Sequence, residues 1–455
     1  MPKSIKIHLT RQIKNLKQAF FQEDNLPFSS LLPSPLLKRI ATTGNSRDTV
    51  FTPLVTLKAF IFQVLCDDGS CKNAVARVLT ERLQNGLPAN SVNTGPYCKA
   101  RQRLPLKPLT DTACVVGSQL SEQTASAWQW LGFNVVMADG TTVLMPDTED
   151  NQKVFPQQSN QKPGLGFPIA RLVALISLSV GTVLDYAVGP YQGKGTGETS
   201  LFSTLISSLS QGQLLLADRY YCTYAIVILL RQRGVPVVFR NNANKKADFR
   251  RGKKLGSKDH LIEWRKPPRV PVWLSDQAYA ELPEAIIIRE FTVSGIVYVS
   301  TLVDAKVYPK TELAALYQRR WSIELDIRSI KTHMGMDMLR CQSADMVKKE
   351  IAVHMLAYNL IRTNMAQAAA VHNKFPRFIS FKAAVQLVNQ ASLQFAHLSG
   401  TLMKDILDKM LAMIAATAIG QRERKKQPRA IKRRPKPYPL LTRPRHEMVT
   451  LCNKT

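Results

Sequence analysis

The stretch "FNVVMADGTTVLM", Phe133 to Met145, sets an apolar run against an acid and a glycine. Its opening residues, apolar and partly β-branched, read as a buried strand. Asp139 and Gly140 then stand where that strand is expected to reach the edge of its sheet. A carboxylate there matters because open α/β sheets bind ligands at the carboxyl ends of their strands. An Asp-Gly turn is the plainer reading of the same pair.

Downstream, "ARLVALISLSV" (170–180), "TVLDYAVG" (182–189), "QLLLADR" (213–219) and "VPVVFR" (235–240) read as further strands. The runs "ETSLFSTLISSLS" (198–210) and "TYAIVILLRQRG" (223–234) read as the intervening helices. Three strands followed by alternating helices and strands argue for a mixed α/β sheet over residues 128–242. Asp218 closes "QLLLA" as Asp139 closes "FNVVMA"; a helix N-cap is the plainer reading of Asp218.

Residues 1–127 read as mostly helical, with "TPLVTLKAFIFQVL" amphipathic and "GPYCKARQRLPLKPL" a short basic helix ended by proline. Lys99, Arg101 and Arg103 on that basic helix suit a phosphate backbone or plain solvent equally well. Residues 243–305 are basic, aromatic and rich in Pro and Gly, yet they contain "AIIIREFTV" and "IVYVSTLV", and so read as a β-rich insertion. The helix "KTELAALYQRRWSIELDIRSIKTH" then returns the chain to the α/β unit over 306–370. A helical C-terminal region is expected over 371–420. The Pro-rich, basic tail 421–455 is expected to stay extended until it meets nucleic acid.

Within the returning helix, "YQRRWSIELDIRSIK" runs from Tyr317 to Lys331. At roughly 100° per residue, Tyr317, Arg320, Glu324 and Lys331 fall within an arc of about 60°, bordering the apolar stripe of Leu316, Ile323, Ile327 and Ile330. A solvated face with Arg320 paired to Glu324 accounts for this segment taken alone. Together with Asp139 and Asp218, Glu324 makes a different object. Two aspartates at strand ends and a helical glutamate can hold two Mg²⁺ ions about 3.5–4 Å apart, clamping the attacking and leaving oxygens of a phosphoryl displacement. Arg320 and Lys331 would then grip flanking phosphates and Tyr317 would hydrogen-bond another.

The charge of the chain agrees with a polyanionic partner. Across 455 residues, 62 Lys and Arg face 33 Asp and Glu, a net +29 with a pI near 10.0. Such an excess favours nucleic acid, because every neutralised phosphate releases counterions. A membrane surface is disfavoured: no long basic amphipathic helix carries aromatic anchors, and the most apolar stretch, "LVALISLSVGTVLDYAV", is broken by Gly181 and Asp185. The basic start "MPKSIKIHLTRQIKNLKQAFF" lacks the apolar core of a signal peptide. Seven cysteines without a CxxC pair suit a reducing cytoplasm.

The sequence resembles the DDE transposases of the insertion-sequence 4 family. Their signature is Tyr, two residues, Arg, three residues, Glu, six residues, Lys, and Tyr317, Arg320, Glu324 and Lys331 match every spacing. "ADGTTVLMPDTEDN" looks like the family's first aspartate region and "LLLADRYYCTY" like its second. Further blocks are similar, among them "FPQQSNQKPGLGFPIARLV", "GPYQGKGTGETS", "DFRRGKKLGSKDHLIEWRKP" and "RRPKPYPLLTRPR", so that the resemblance spans roughly residues 30–445.

The resemblance implies an α/β, RNase H-like catalytic core with a β-rich insertion, a helical N-terminal DNA-binding domain, and a helical C-terminal region used in dimerisation. It implies Mg²⁺-dependent excision at terminal inverted repeats and insertion into target DNA, with Mn²⁺ as a substitute, in the bacterial cytoplasm at the nucleoid. Water attacks the phosphodiester at each end. The freed 3′-OH then attacks the opposite strand to give a hairpin, which reopens before strand transfer. In hairpin-forming relatives a flipped base stacks on an aromatic of the β insertion; Trp273, Trp264 and Tyr298 are the candidates here.

Three rival readings remain. "GPYQGKGTGE" glances at a nucleotide phosphate loop, but Gly189 to Gly193 is one residue short and Lys194 is followed by Gly195, so no nucleotide cofactor is expected. A non-catalytic DNA-binding protein would not need Asp139, Asp218 and Glu324 together. A general RNase H-like nuclease would show no preference for inverted-repeat ends.

Overall fold

The computed structural model describes residues 34–42, 50–88, 91–242, 245, 247–395, 400–417 and 443–452. The start of the chain and most of the basic tail lie outside them. Five helices come first: α1 (Ser34–Ala41), α2 (Pro53–Leu65), α3 (Cys71–Gln84), α4 (Gly95–Arg103) and α5 (Leu106–Glu122). Thr52 and Ser70 cap α2 and α3, each accepting a hydrogen bond from a first-turn amide. Then follow β1 (Asn134–Leu144), α6 (Glu149–Val154), β2 (Ile169–Ser177), β3 (Val183–Pro190), α7 (Glu198–Leu205), β4 (Gln213–Ala217), α8 (Tyr224–Gln232) and β5 (Val237–Arg240).

The region after β5 contributes β6 (Lys253–Gly256), β7 (Asp259–Arg265), α9 (Asp276–Ala280), β8 (Ala285–Val293) and β9 (Ile296–Ser300). The rest of the described chain is helical: α10 (Lys310–Gln318), α11 (Ser322–Arg328), α12 (Ala344–Val371), α13 (Phe381–Phe395), α14 (Gly400–Ala416) and α15 (Arg445–Cys452). Among the described residues, no helix is long and apolar enough to cross a membrane.

All nine strands form one sheet in the order β3-β2-β1-β4-β5-β9-β8-β7-β6. β1 is parallel to β4 and antiparallel to β2, and β4 is parallel to β5. The segment expected to interrupt the α/β unit instead extends its sheet, because β9 returns antiparallel alongside β5. Side chains alternate along β1, so Val135, Met137 and Val143 join one core while Val136 and Ala138 join the other. The first core is built around α12, which is buried over nearly its whole length. At its middle, Asn359 binds the amide and carbonyl of Val183 and the carbonyl of Ala113, each at 2.8 Å. Gly117 makes that approach possible, since a Cβ there would lie 1.9 Å from the Val183 carbonyl oxygen.

Two expectations change. Asp139 does not end its strand: β1 continues to Leu144 against β2, and only the pairing with β4 stops, at Met137. The end of the tail is not all extended, since Arg445 opens α15, binds Asp147 Oδ2 at 2.8 Å and lies 4.0 Å above the Phe167 ring.

Candidate active site

Asp139 sits where β1 outruns β4, so its side chain leaves the sheet beside the end of β4, where Asp218 follows Ala217. Asp139 Oδ1 accepts a hydrogen bond from the Gly140 amide at 2.9 Å, and Asp218 Oδ1 accepts one from the Tyr220 amide at 2.7 Å. These local bonds set the rotamers of both acids. The N-cap position of α8 belongs to Thr223, so Asp218 is free of that duty.

The third acid arrives on a broken helix. Between α10 and α11 lies a 3-10 turn, Arg319–Trp321, and after α11 a π turn, Ser329–His333, closed by the Met334 amide on the Ser329 carbonyl at 3.2 Å. Each irregularity rotates the following residues away from a uniform helical wheel. The site residues still converge. Arg320 donates from Nη1 to Asp139 Oδ2 at 3.2 Å and from Nη2 to Glu324 Oε1 at 3.3 Å. Lys331 Nζ donates to the Thr142 carbonyl at 2.8 Å and to Thr141 Oγ1 at 3.3 Å, fixing the π turn to β1. The half-buried ring of Tyr317 meets Tyr298 edge-on at 5.3 Å.

Electrostatics mark this spot. Burial pushes the Asp139 carboxyl above the usual range, with Asp218 and Glu324 adding repulsion while the Gly140 amide and Arg320 oppose them. Burial works against the charge on Arg320, yet Tyr317, Asp139, Glu324 and Asp218 together raise its pKa. Burial also pushes the Tyr317 phenol up to about 12.

Among the described residues, no three acidic, His or Cys side chains are already drawn closely enough to hold an ion. The donor set nevertheless fits a hard divalent cation: it offers carboxylate oxygens that repel one another, and Arg320 holds the place of a countercharge between two of them.

A family model for the transposase DDE domain matches residues 130–360, which covers Asp139, Asp218 and the whole Tyr317–Lys331 segment. The chain belongs to the DDE transposase family. Transposase InsG for insertion sequence element IS4, from Escherichia coli strain K12, is 25% identical over 376 residues, spanning 79% of this chain and 82% of the relative. The putative transposase InsZ of the same strain is 24% identical over 106 residues, 23% of this chain and 34% of that one. The cryo-EM structure of the piggyBac transposase synaptic complex with hairpin DNA aligns over 88% of this chain and 85% of its own, at 9% identity and a TM-score of 0.40. This transposase is thus of the insertion-sequence 4 type, an enzyme of metal-dependent phosphoryl transfer on DNA.

Other sequence expectations meet the structure unevenly. Lys99 and Arg103 are exposed on α4. Arg101 is buried: its guanidinium contacts Gln63 and the Cys71 and Cys98 sulfurs and lies over the Phe60 and Tyr97 rings at 4.9 and 5.0 Å. It packs the N-terminal helices together and presents nothing to a phosphate. Trp264 is also buried, with Nε1 bonded to Glu290 at 2.9 Å and Lys245 Nζ 3.3 Å above its ring. Tyr298 is buried between Phe291 and Tyr317, and Trp273 is half-buried against the second core. Neither Trp264 nor Tyr298 has a ring face open to a base.

The exposed rings beside the acids are others: Trp321, 65% exposed, follows Arg320, and Tyr220, 60% exposed, lies two residues after Asp218. Sequence reading also passed over Glu198, which opens α7 after "GPYQGKGTG". Its position between the two aspartates in chain order was the available signal.

Proposed function

We propose that this transposase excises its element at terminal inverted repeats and joins it to target DNA, with Asp139, Asp218 and Glu324 as the ligands of two Mg²⁺ ions, or of Mn²⁺ in their place. The observation that carries the reading is the bridge of Arg320 between Asp139 on β1, 181 positions away, and Glu324 on α11, four positions away. When bound, such ions activate water and stabilise the charge of phosphoryl transfer.

The chain's own groups do the rest. Asp139 on β1, Asp218 just after β4 and Glu324 on α11 supply negative oxygen ligands. Arg320, released from the carboxylates once they are neutralised, turns its fork to a phosphate beside the scissile one. Tyr317, whose phenol stays protonated at neutral pH, donates a hydrogen bond to another phosphate. Lys331 stays on β1 and places a positive charge beside the DNA backbone. Attack by water frees a 3′-OH, which attacks the opposite strand's phosphodiester to form a hairpin and release the flanking DNA; water then reopens the hairpin, and the regenerated 3′-OH joins the target. Trp321 and Tyr220 are the rings whose exposure suits a flipped base.

The domain plan in this reading is a helical DNA-binding region over 1–127, bearing Lys99 and Arg103, and an RNase H-like core from 128–242 and 306–370. The order β3-β2-β1-β4-β5, with one antiparallel and one parallel half, supports that core. The insertion 243–305, the helical region 371–420 used in a homodimeric synapse, and the basic tail 421–455 complete it.

The test compares wild type with Glu324→Gln on a labelled duplex carrying the DNA that flanks this reading frame. Wild type is expected to cut at the repeat boundary in Mg²⁺, and Glu324→Gln to bind the ends equally without cutting. Equal binding with no cutting by either protein, in Mg²⁺ and Mn²⁺, would overturn the assignment and favour a DNA-binding role.

A further inference from the structure

Glu198 reaches the candidate active site from the side of the sheet opposite Glu324. Side chains alternate along β1, so Asp139 shares the face of Met137, whereas Gly140 shares the face of Ala138, against α7 and α8. At Gly140 the strand presents a bare Cα, and Glu198 fills the space. A methyl group built on Gly140 would lie 1.8 Å from Glu198 Oε1 and 2.5 Å from its Cδ. Only glycine at that position lets the carboxylate come down beside Asp139.

Among the described residues, the carboxylate has no hydrogen-bond or ion-pair partner of its own. Arg171, the cation that acts on it, spends its Nη1 on the Thr196 carbonyl at 3.0 Å and lies 4.7 Å over the Tyr191 ring. Tyr221, three residues after Asp218, is fully buried, edge-on to Phe202 of α7 with ring centres 5.0 Å apart. Among the described residues its hydroxyl has no hydrogen-bond partner. After burial itself, the charges that bear most on that hydroxyl are Glu198, Asp139 and Asp218, in that order. A buried phenol without an acceptor is a feature that native proteins seldom leave unexplained. An acid in the first turn of a helix is commonplace, because it complements the helix dipole. That accounts for an acid at the start of α7, but not for the slot over Gly140 or the orphaned hydroxyl below.

We propose that Glu198 is a fourth carboxylate of the metal site, seated over Gly140 and steadied by the Tyr221 hydroxyl, where it binds the divalent ion held by Asp139 and Asp218. This rests on the reading of those aspartates as ligands. With an ion bound there, Glu198 would be a ligand and could offer its other oxygen to the Tyr221 hydroxyl.

Mn²⁺ binding to the full-length protein, followed by electron paramagnetic resonance, tests this without relying on cleavage. Glu198→Gln is expected to weaken Mn²⁺ binding by about tenfold or more, and Asp139→Asn by at least as much. Gly140→Ala, which expels the Glu198 side chain, is expected to match Glu198→Gln. Weaker binding by Asp139→Asn with wild-type affinity in Glu198→Gln would overturn the proposal and leave the aspartate reading standing. Wild-type affinity in Asp139→Asn would overturn both. Should Glu198→Gln fail to fold, Tyr221→Phe decides: severalfold weaker Mn²⁺ binding supports the proposal, and unchanged affinity overturns it.

Discussion

Glu324 and Asp326 stand two residues apart on α11 and face opposite environments. The Glu324 side chain is 40% exposed beside Arg320, whereas Asp326 is fully buried. Asp326 pairs with Arg362, with Arg377 Nη1 at 2.6 and 2.7 Å, and with the Tyr358 hydroxyl at 3.0 Å. Arg377 in turn binds the carbonyls of Ser177 and Leu178, at the end of β2. The short helix is thereby fastened from behind to α12 and to the sheet, and the acid on its front is aimed at Asp139.

Asp326→Ala leaves two guanidinium groups without their shared anion. Breaking a buried ion pair from one side costs about 3–5 kcal/mol, and a loss of that size is expected in urea unfolding followed by circular dichroism. Glu324→Gln, on the exposed side of the same helix, is expected to leave the midpoint within about 0.5 kcal/mol of wild type.

Arg320 has opposite effects on two measurements. As a countercharge to Asp139 and Glu324 it competes with cations, so Arg320→Ala is expected to tighten Mn²⁺ binding severalfold in the absence of DNA. As a phosphate contact it is lost during the reaction, and cleavage at the repeat ends is expected to fall by about 10²-fold or more. A titration of Mn²⁺ alone and a single-turnover cleavage assay separate the two.

His354 makes the fold sensitive to acid. It is buried on α12, its Nδ1 has no hydrogen-bond partner among the described residues, and burial with the neighbouring Arg340 pushes its pKa down to about 3. A depressed histidine contributes stability that is complete above the ordinary value of about 6.5 and is lost as pH falls from there toward the folded-state value. On the order of 2 kcal/mol is therefore expected to disappear between about pH 6.5 and 5. Thermal unfolding of His354→Gln should show a flatter profile over that window than wild type.

The basic helix α4 carries two kinds of arginine. Lys99→Ala and Arg103→Ala remove exposed charge and are each expected to lower the slope of log affinity against log salt by about 1. Arg101→Ala removes a buried guanidinium that sits over two rings. Its expected effect is a loss of stability, seen as a lower unfolding midpoint, with the salt slope of DNA binding preserved.

The strands from β1 to β5 and the helices α7 and α8 were legible in the chain, because runs such as "QLLLA" and "YAIVILL" are too apolar for anything but burial and each is bounded by turn residues, whereas the short polar α6 was not. Asp139, Asp218 and the Tyr317, Arg320, Glu324 and Lys331 spacing were legible for the same local reason. The position of Asp139 inside β1 was not, since the length of a strand depends on its partner and β2 alone accompanies β1 beyond Met137. Nor was the burial of Trp264 and Tyr298, because the insertion reads the same whether it stands apart or pairs with β5.

The sequence by itself determined which residues are acidic, basic or apolar, where the alternation of strands and helices falls, and to which kind of enzyme that pattern is similar. Only the tertiary structure decided which charges meet. Arg320 reaches Asp139 across 181 residues and Lys331 reaches Thr142 across 189, and Glu198 reaches the strand only because Gly140 leaves room. The physical reason is that propensity and periodicity act within a turn or two of chain, whereas desolvation and Coulomb attraction depend on distance in space, which packing sets.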